Sequence, residues 1–502
     1  MAKAPKGIEV IPKISRDAAR VLTADALRFV SELHRAFAPE RTRLSHLRKA
    51  RQAYFDKGML PDFRPETSAI RNGDWKVAAL PRDLLDQRAG IVTAPSRKEL
   101  LAALNSGAKL CLADFADFTS PTWGNLIGGQ INLMDRWTSA MEHVDPATRK
   151  RVSLSQRLAT LMVRPRAFFQ DEPRVRMDGK PVAAALFDAG LYLFHNAKVS
   201  LAKASGPYLC LSGITSQAEA RLWNDILLHA QSLLGLPTGA IRVSVLVDDI
   251  SAAFEMDEIA YELRDHIAGL SPGGMNYAFS LIRSFATHKT RIITDAGPLD
   301  ETLSGAIIRT AHGRGIAAVA ALARVNAKAD AEHAVRQGFD GLWASHPDQV
   351  AGVVKIFNDD MPTPNQIYVT RDDAAVTQKA LLATADGCKA EALFRANIQA
   401  ALQGIEGWLS GRGTVMIDGG TGDAASIEFR RAQIWQWLHH DMKLDSGKKL
   451  SAAIFEGYLA EALKQVNASD GRFKEAANLL KSLCLAKEFV PDFTTLAMRK
   501  LQ

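Results

Sequence analysis

The residues of this 502-residue chain best suited to chemistry stand at the ends of short apolar runs. Asp114 and Asp117 follow "KLCLA", Arg164 follows "TLMV" within "RPR", and Asp248 and Asp249 follow "IRVSVLV". One guanidinium and several carboxylates converging on one mouth would suit a divalent-metal site that handles an oxyanionic substrate. The stretch "SPGGMN" (271–276) reads as a turn leading from a helix into the next strand. It ends in an amide, Asn276, where a carboxylate would be the stronger ligand for a hard cation.

Each of these residues also has a structural reading. Asp248, Asp249 or Ser251 could cap a helix that starts near Ala252. Arg164 could be an ion-pair partner. Within 251–266, Ala253, Met256, Ala260 and Leu263 form an apolar stripe, so Glu258, Glu262 and Arg264 read as structural. His266 ends that helix, where the helix dipole favours a charged imidazole. In "WQWLHH" (435–440), Trp435 and Leu438 are expected to pack inward while the adjacent histidines point apart.

The elements that must position these residues alternate. The strand candidates are "AKLCLADF", "ATLMVRP", "PYLCLSG", "IRVSVLV", "NYAFSLI", "GIAAVAAL" and "GLWAS", with helical stretches between them. Seven or eight such units over roughly 275 residues favour an α/β fold, a parallel (β/α)₈ TIM barrel, whose active sites form at the strand C-termini. No G-x-G-x-x-G follows a strand and no P-loop is present. Residues 1–95 read as an N-terminal helical clasp, with "FVSELHRAF" and "RLSHLRKARQAYFDKG" as two helices, the second stopped by Gly58. The barrel is expected over 96–370, with a hairpin inserted near 172–190 around an Asp-Gly turn. A helical plug is expected over 371–502.

Composition narrows the function classes. Basic residues number 62 against 55 acidic, a net charge of +7, but the charges are interspersed and no aromatic-laced basic stripe suggests nucleic acid. A small anionic substrate or cofactor fits that balance. No apolar run is long enough to span a membrane and no signal-peptide core is seen, so a cytoplasmic enzyme without membrane partners is expected. Cys111, Cys210, Cys388 and Cys484 lack metal-site spacing and read as buried thiols.

Taken together, "LADFADFTSPTWGNLIGGQINLMDRW", "LMVRPRAFF", "GPYLC", "EARLWNDI", "AAFEMDEIAYELRDHIAGL", "PTPNQ" and "GDAASIEFRRAQIWQWLHH" resemble the malate synthase family, in its shorter A-type form, from about Phe29 to near residue 490. The resemblance implies a clasp, a TIM barrel and a C-terminal plug over the barrel mouth. It implies condensation of acetyl-CoA with glyoxylate and thioester hydrolysis to malate and CoA, with Mg²⁺ as cofactor, as in the glyoxylate bypass. By that resemblance Arg164 would stabilise the enolate and Asp423, in "GDAAS", would be the catalytic base. Asp248 and Asn276 fall on the two metal-ligand positions. Gly273, Gly274 and Met275 fall on the substrate loop, and Pro362, Thr363, Pro364 and Asn365 near the CoA site.

The chain departs from the family pattern at several site positions. Asp248 replaces a glutamate and Asn276 an aspartate; Gly422 precedes Asp423 in place of a glutamate. Ala116-Asp117 stands for an acidic pair, and Ala167-Phe168-Phe169, Ser212-Gly213 and Ala320-Ala321-Leu322 replace other family runs. Two further readings therefore stay open at this stage. One is a related condensing enzyme or lyase acting on another acyl-CoA or 2-oxo acid. The other is a non-catalytic relative.

Overall fold

The computed structural model describes residues 5–138, 141–294, 297–323, 325–374, 376–383, 387, 389–417, 419–466 and 471–501. Cys388 lies outside them, whereas Cys111, Cys210 and Cys484 are buried free thiols.

Eight parallel strands close a barrel in chain order: β1 (Ala89–Thr93), β2 (Leu110–Asp114), β3 (Thr160–Arg164), β4 (Tyr208–Leu211), β5 (Arg242–Val247), β6 (Ile267–Pro272), β7 (Ala317–Ala323) and β8 (Gly341–Ala344). The strands read as apolar runs because they are covered on both faces, by helices outside and by packed side chains within. Val92, Leu110, Leu112, Met162, Tyr208, Val319 and Trp343 fill the interior.

Two strand assignments made from sequence need correction. The stretch "NYAFSLI" is not a strand but lies within helix Met275–Ser284. The sixth strand is "IAGLSP", just before it. "SPGGMN" therefore leads out of a strand into a helix. The apolar face of that amphipathic helix imitates a buried strand, since periodicity alone does not separate short apolar runs. The first strand, "AGIVT", was not among the strand candidates; it lies inside the stretch 1–95 read as clasp.

The helices used below are α1 (Ala24–Asp56), α2 (Trp123–Asp135), α3 (Ala184–Ala202), α4 (Met275–Ser284), α5 (Pro347–Asp360), α6 (Glu391–Leu409), α7 (Ala424–His439) and α8 (Phe473–Cys484). α1 is capped by Thr23, whose hydroxyl accepts the Ala26 N–H at 3.1 Å. It runs unbroken through Pro39, so the two clasp helices expected are one. A proline removes one backbone bond, and packing of α1 on α3 and on helix Gln217–Leu234 carries the helix across it. The inserted hairpin comprises Asp171–Met177 and Lys180–Ala183 around a left-handed Asp178-Gly179 turn, and Ile8–Val10 adds a third strand. From Ala184 the chain is already helical.

The expected stripe Ala253, Met256, Ala260 and Leu263 is buried, and Glu258 pairs with Arg71. The helix is shorter than expected, covering Met256–Glu262. His266 is not a helix-end cation. It is buried between Gln231 and Asn224, and burial pushes its pKa down to about 4. The C-terminal region packs α6, α7 and α8 around Phe394, Trp408, Trp437 and Leu480. No helix among the described residues is long and apolar enough to cross a membrane.

Candidate active site

Strand register assembles the first half of the site. β2 and β3 pair so that Asp114 lies beside Arg164 at their C-terminal ends. β5 and β6 pair Val247 with Pro272, which brings Asp248 beside the Gly273-Gly274 turn. A Cβ on Gly273 would come within 2.4 Å of the Asp248 Cα, and Gly274 has φ +53°. The turn thus requires glycine twice, once for close approach and once for its backbone conformation.

The plug supplies the second half. Its loop meets the barrel so closely that a Cβ on Gly413 would overlap the Phe118 carbonyl. Ser120 Oγ donates to the Trp408 carbonyl at 2.7 Å and Asn125 Nδ2 to the Gly411 carbonyl at 2.8 Å. Asp423 caps α7, accepting the Ser426 N–H at 2.9 Å, while its own N–H is taken by Ser426 Oγ at 2.9 Å. The next residue, Ala424, donates its N–H to the Asp117 carbonyl at 3.2 Å. A helix N-terminus from one domain is therefore fixed over the strand ends of the other.

These contacts enclose a cavity of about 60 Å³ lined by Asp114, Asp117, Arg164, Gly273, Gly274, Asn276, Trp343 and Asp423, among others. Arg164 is 7% exposed. Its Nη1 pairs with Asp117 Oδ2 at 2.7 Å and Asp114 Oδ2 at 3.2 Å, and its Nε donates to Ser212 Oγ at 3.0 Å. The ion-pair reading and the site reading of Arg164 are thus one arrangement. Asn276 Nδ2 donates to Asp117 Oδ2 at 2.8 Å. The opposite amide orientation would set an oxygen against a carboxylate, so the network fixes which end faces Asp117.

Asp117 is the hub of this arrangement. Its carboxylate holds Arg164 and Asn276, and its carbonyl holds the start of α7. Its place at a strand end marked it in the sequence, but nothing there showed that three other site residues would meet on it.

Asp248 accepts the Gly213 N–H with both oxygens, at 3.0 and 2.9 Å. Burial pushes its carboxyl up to about 6 against the pull of Arg164. Asp114 is pushed up to about 6 in the same way, with Arg164 opposing and Asp117 adding repulsion. Asp249 turns away. It caps Ser251 and pairs with Arg283 at 2.5 Å. Burial raises its carboxyl, but Arg283 and Arg51 outweigh that and hold it below the usual carboxylate range.

Two expectations fail on geometry. Met275 packs against the barrel's apolar core, not into the cavity. Pro362, Thr363, Pro364 and Asn365 lie at the far end of the barrel. They follow α5, which runs back from the C-terminal end of β8. Asn365 Nδ2 donates to the Leu85 carbonyl ahead of β1, and the Gln366 N–H donates to Asp340 ahead of β8. This segment packs beside the N-terminal ends of β1 and β8.

The assembly of Arg164, an aspartate capping a plug helix and a barrel mouth between them can be set beside known proteins. Three family models match in chain order: the malate synthase N-terminal domain over 6–69, the malate synthase TIM barrel domain over 160–384 and the malate synthase C-terminal region over 389–501. The chain is 38% identical to malate synthase of Myxococcus xanthus, over 96% of this chain and 94% of that one. This chain belongs to the malate synthase family. It is also 37% identical to malate synthase A of Escherichia coli, over 95% of each chain, and 35% identical to the glyoxysomal malate synthase of Brassica napus, over 98% and 94%. Membership makes it an acyltransferase scaffold.

Proposed function

We propose that the cavity is a malate synthase active site, in which acetyl-CoA and glyoxylate condense and the thioester is hydrolysed to malate and CoA, as in the glyoxylate cycle. The observation that carries this reading is that Arg164 from the barrel and Asp423 from the plug line one small cavity. The acetyl methyl group is a very weak carbon acid, so its deprotonation needs a positioned base and a cation for the enolate oxygen. Asp423 takes the methyl proton onto its carboxylate. Arg164, buried and fixed by three partners, faces the developing oxyanion. The enolate carbon then bonds to the aldehyde carbon of glyoxylate. Attack of water on the thioester carbonyl breaks the C–S bond and releases CoA. The plug keeps bulk water from the enolate until that bond has formed.

The Mg²⁺ implied by the family is tested by the donor set. Asp114, Asp117 and Asp248 surround a single guanidinium, so a divalent cation balances the charge. Asp248 offers a carboxylate, and Asn276 offers its carbonyl oxygen because its nitrogen is committed to Asp117. Asp248 and Asn276 would hold the ion weakly, since only one of the two donors carries a charge. When bound, the ion would polarise the glyoxylate aldehyde. Among the described residues no group of three or more His, Cys, Asp or Glu forms a denser cage.

A groove of about 450 Å³ shares Phe118 with the cavity and is lined by Ser96, Arg97, Gly124, Gly128 and Arg412. It opens at the N-termini of helix Arg97–Leu104 and α2, where backbone N–H groups favour phosphate. We assign the CoA chain to this groove in place of Pro362–Asn365. The substrates are small soluble anions, and a cytoplasmic location accompanies this reading. The deciding experiment is thiol release from acetyl-CoA with glyoxylate and Mg²⁺. The reading requires turnover in the parent and its loss in Asp423→Asn; a silent parent with correct folding sinks it.

A further inference from the structure

A second, larger cavity of about 780 Å³ lies where the clasp, barrel and plug meet, on the outer side of the corner that holds Asp248 and Asp249. α1 contributes Arg48, Lys49, Arg51 and Asp56, the barrel Asp249 and Arg283, and the plug Trp435, His439, Lys487, Glu488 and Phe489. Five cations therefore line it against three carboxylates. Two of the cations are spent: Arg283 pairs with Asp249, and Arg48 with Glu219 just outside the lining. Among the described residues, Lys49, Arg51 and Lys487 form no ion pair. Arg51 instead donates to the carbonyl and hydroxyl of Thr215.

The wall also carries rings. Exposed His439 stacks on Trp435 at 4.3 Å and 15°, and Phe489 meets Trp435 edge-on at 5.0 Å. Unpaired cations beside an aromatic stack suit a ligand that joins a dense negative charge to a flat ring. The volume is that of a nucleotide-sized site. We propose that this junction is a binding site for a nucleoside di- or triphosphate, separate from the acetyl-CoA groove.

The same wall reaches the active site through backbone. Arg48 donates to the Gly213 carbonyl, and the Gly213 N–H holds both oxygens of Asp248. A phosphate that draws Arg48 or Arg283 toward itself loosens Gly213 or Asp249, on either side of Asp248. Occupancy is therefore expected to change Mg²⁺ and glyoxylate affinity more than acetyl-CoA affinity.

The test is calorimetry and thermal unfolding of the full chain with ADP, pyrophosphate and adenosine. ADP is expected to bind and raise Tm by ~2 °C or more, with pyrophosphate and adenosine each at least ~10-fold weaker. The double variant Arg51→Gln/Lys487→Gln is expected to weaken ADP binding at least ~10-fold while the KM for acetyl-CoA stays within ~2-fold. Arg412→Gln, in the other groove, is expected to leave ADP binding intact. Absence of ADP binding overturns the proposal. So does loss of ADP binding in Arg412→Gln alone, or a rise in acetyl-CoA KM that parallels the loss of ADP binding in the double variant, which would make this the substrate's own nucleotide site. Because ADP binding is read without turnover, a failure of the malate synthase reading leaves this test standing.

Discussion

Placing a carboxylate at position 276 probes the hub directly. In Asn276→Asp the new carboxylate takes the place of an amide nitrogen 2.8 Å from Asp117 Oδ2. Two like charges at that separation repel by about 6 kcal/mol at an effective dielectric of ~20. The molecule has a cheaper option, since holding a proton on a carboxyl of pKa about 4 at pH 7 costs about 4 kcal/mol. The expected loss of folding stability is thus about 2–4 kcal/mol at pH 7 without metal, after side-chain relaxation. The sign with pH follows from a shared carboxyl pKa that is raised in the folded state. The protonated pair is tolerated below about pH 4, and the penalty grows by about 1.4 kcal/mol per unit above it until the folded pKa is passed. Mg²⁺ has the opposite preference and should bind Asn276→Asp at least ~10-fold more tightly than the parent, restoring Tm. The assay is urea unfolding at pH 5 and 7 with EDTA or Mg²⁺. If the variant is as stable as the parent at pH 7 in EDTA and gains nothing from Mg²⁺, the contact between Asn276 and Asp117 does not exist in solution and the hub is refuted.

Other outcomes follow from the same geometry. Asp423→Asn should keep the fold, because asparagine caps a helix nearly as well as aspartate, while thiol release falls by ~10²–10⁴; a large loss of Tm would mean that the aspartate serves the cap. Arg164→Lys removes the fork that reaches Ser212, Asp114 and Asp117 together, and should cost about 2–4 kcal/mol of stability in urea unfolding as well as most of the thiol release. Asp248, pushed up to about 6 by burial, binds its proton more tightly folded than unfolded; its favourable contribution is complete below about pH 4 and lost as pH rises to about 6. Asp248→Asn should accordingly flatten the fall in stability between pH 4 and 6, and an unchanged slope would refute that shift. Gly273→Ala forces a Cβ against the Asp248 backbone and should lower stability by about 1–3 kcal/mol, with thiol release reduced as Asp248 shifts.

Much of the architecture was written in local pattern. Apolar runs such as "KLCLA" and "IRVSVLV", each ending in a charge, specify strands buried on both faces with reactive ends, and that signal survives without any neighbour. Arg164 and Asp248 were legible for this reason. Asp423 was not legible from pattern, since an aspartate before "AAS" reads as a helix cap, which it also is; it emerged only through family resemblance. "NYAFSLI" misled because a helix face packed on a barrel has the same composition as a strand within it. "PTPNQ" misled because sequence does not say at which end of a barrel a connection falls, and the direction of α5 decides that.

What the sequence alone determined is the set of side chains and the alternation that builds a barrel. What only the tertiary structure decided is who meets whom. Asp117, Arg164, Asn276 and Ala424 are spread over more than 300 positions, yet they join at one carboxylate and its carbonyl. Such contacts depend on strand register and on a plug docked against a barrel, both set by the packing of many distant residues at once. No window of sequence contains that information, because a hydrogen bond between residues 117 and 276 constrains neither residue's own neighbours.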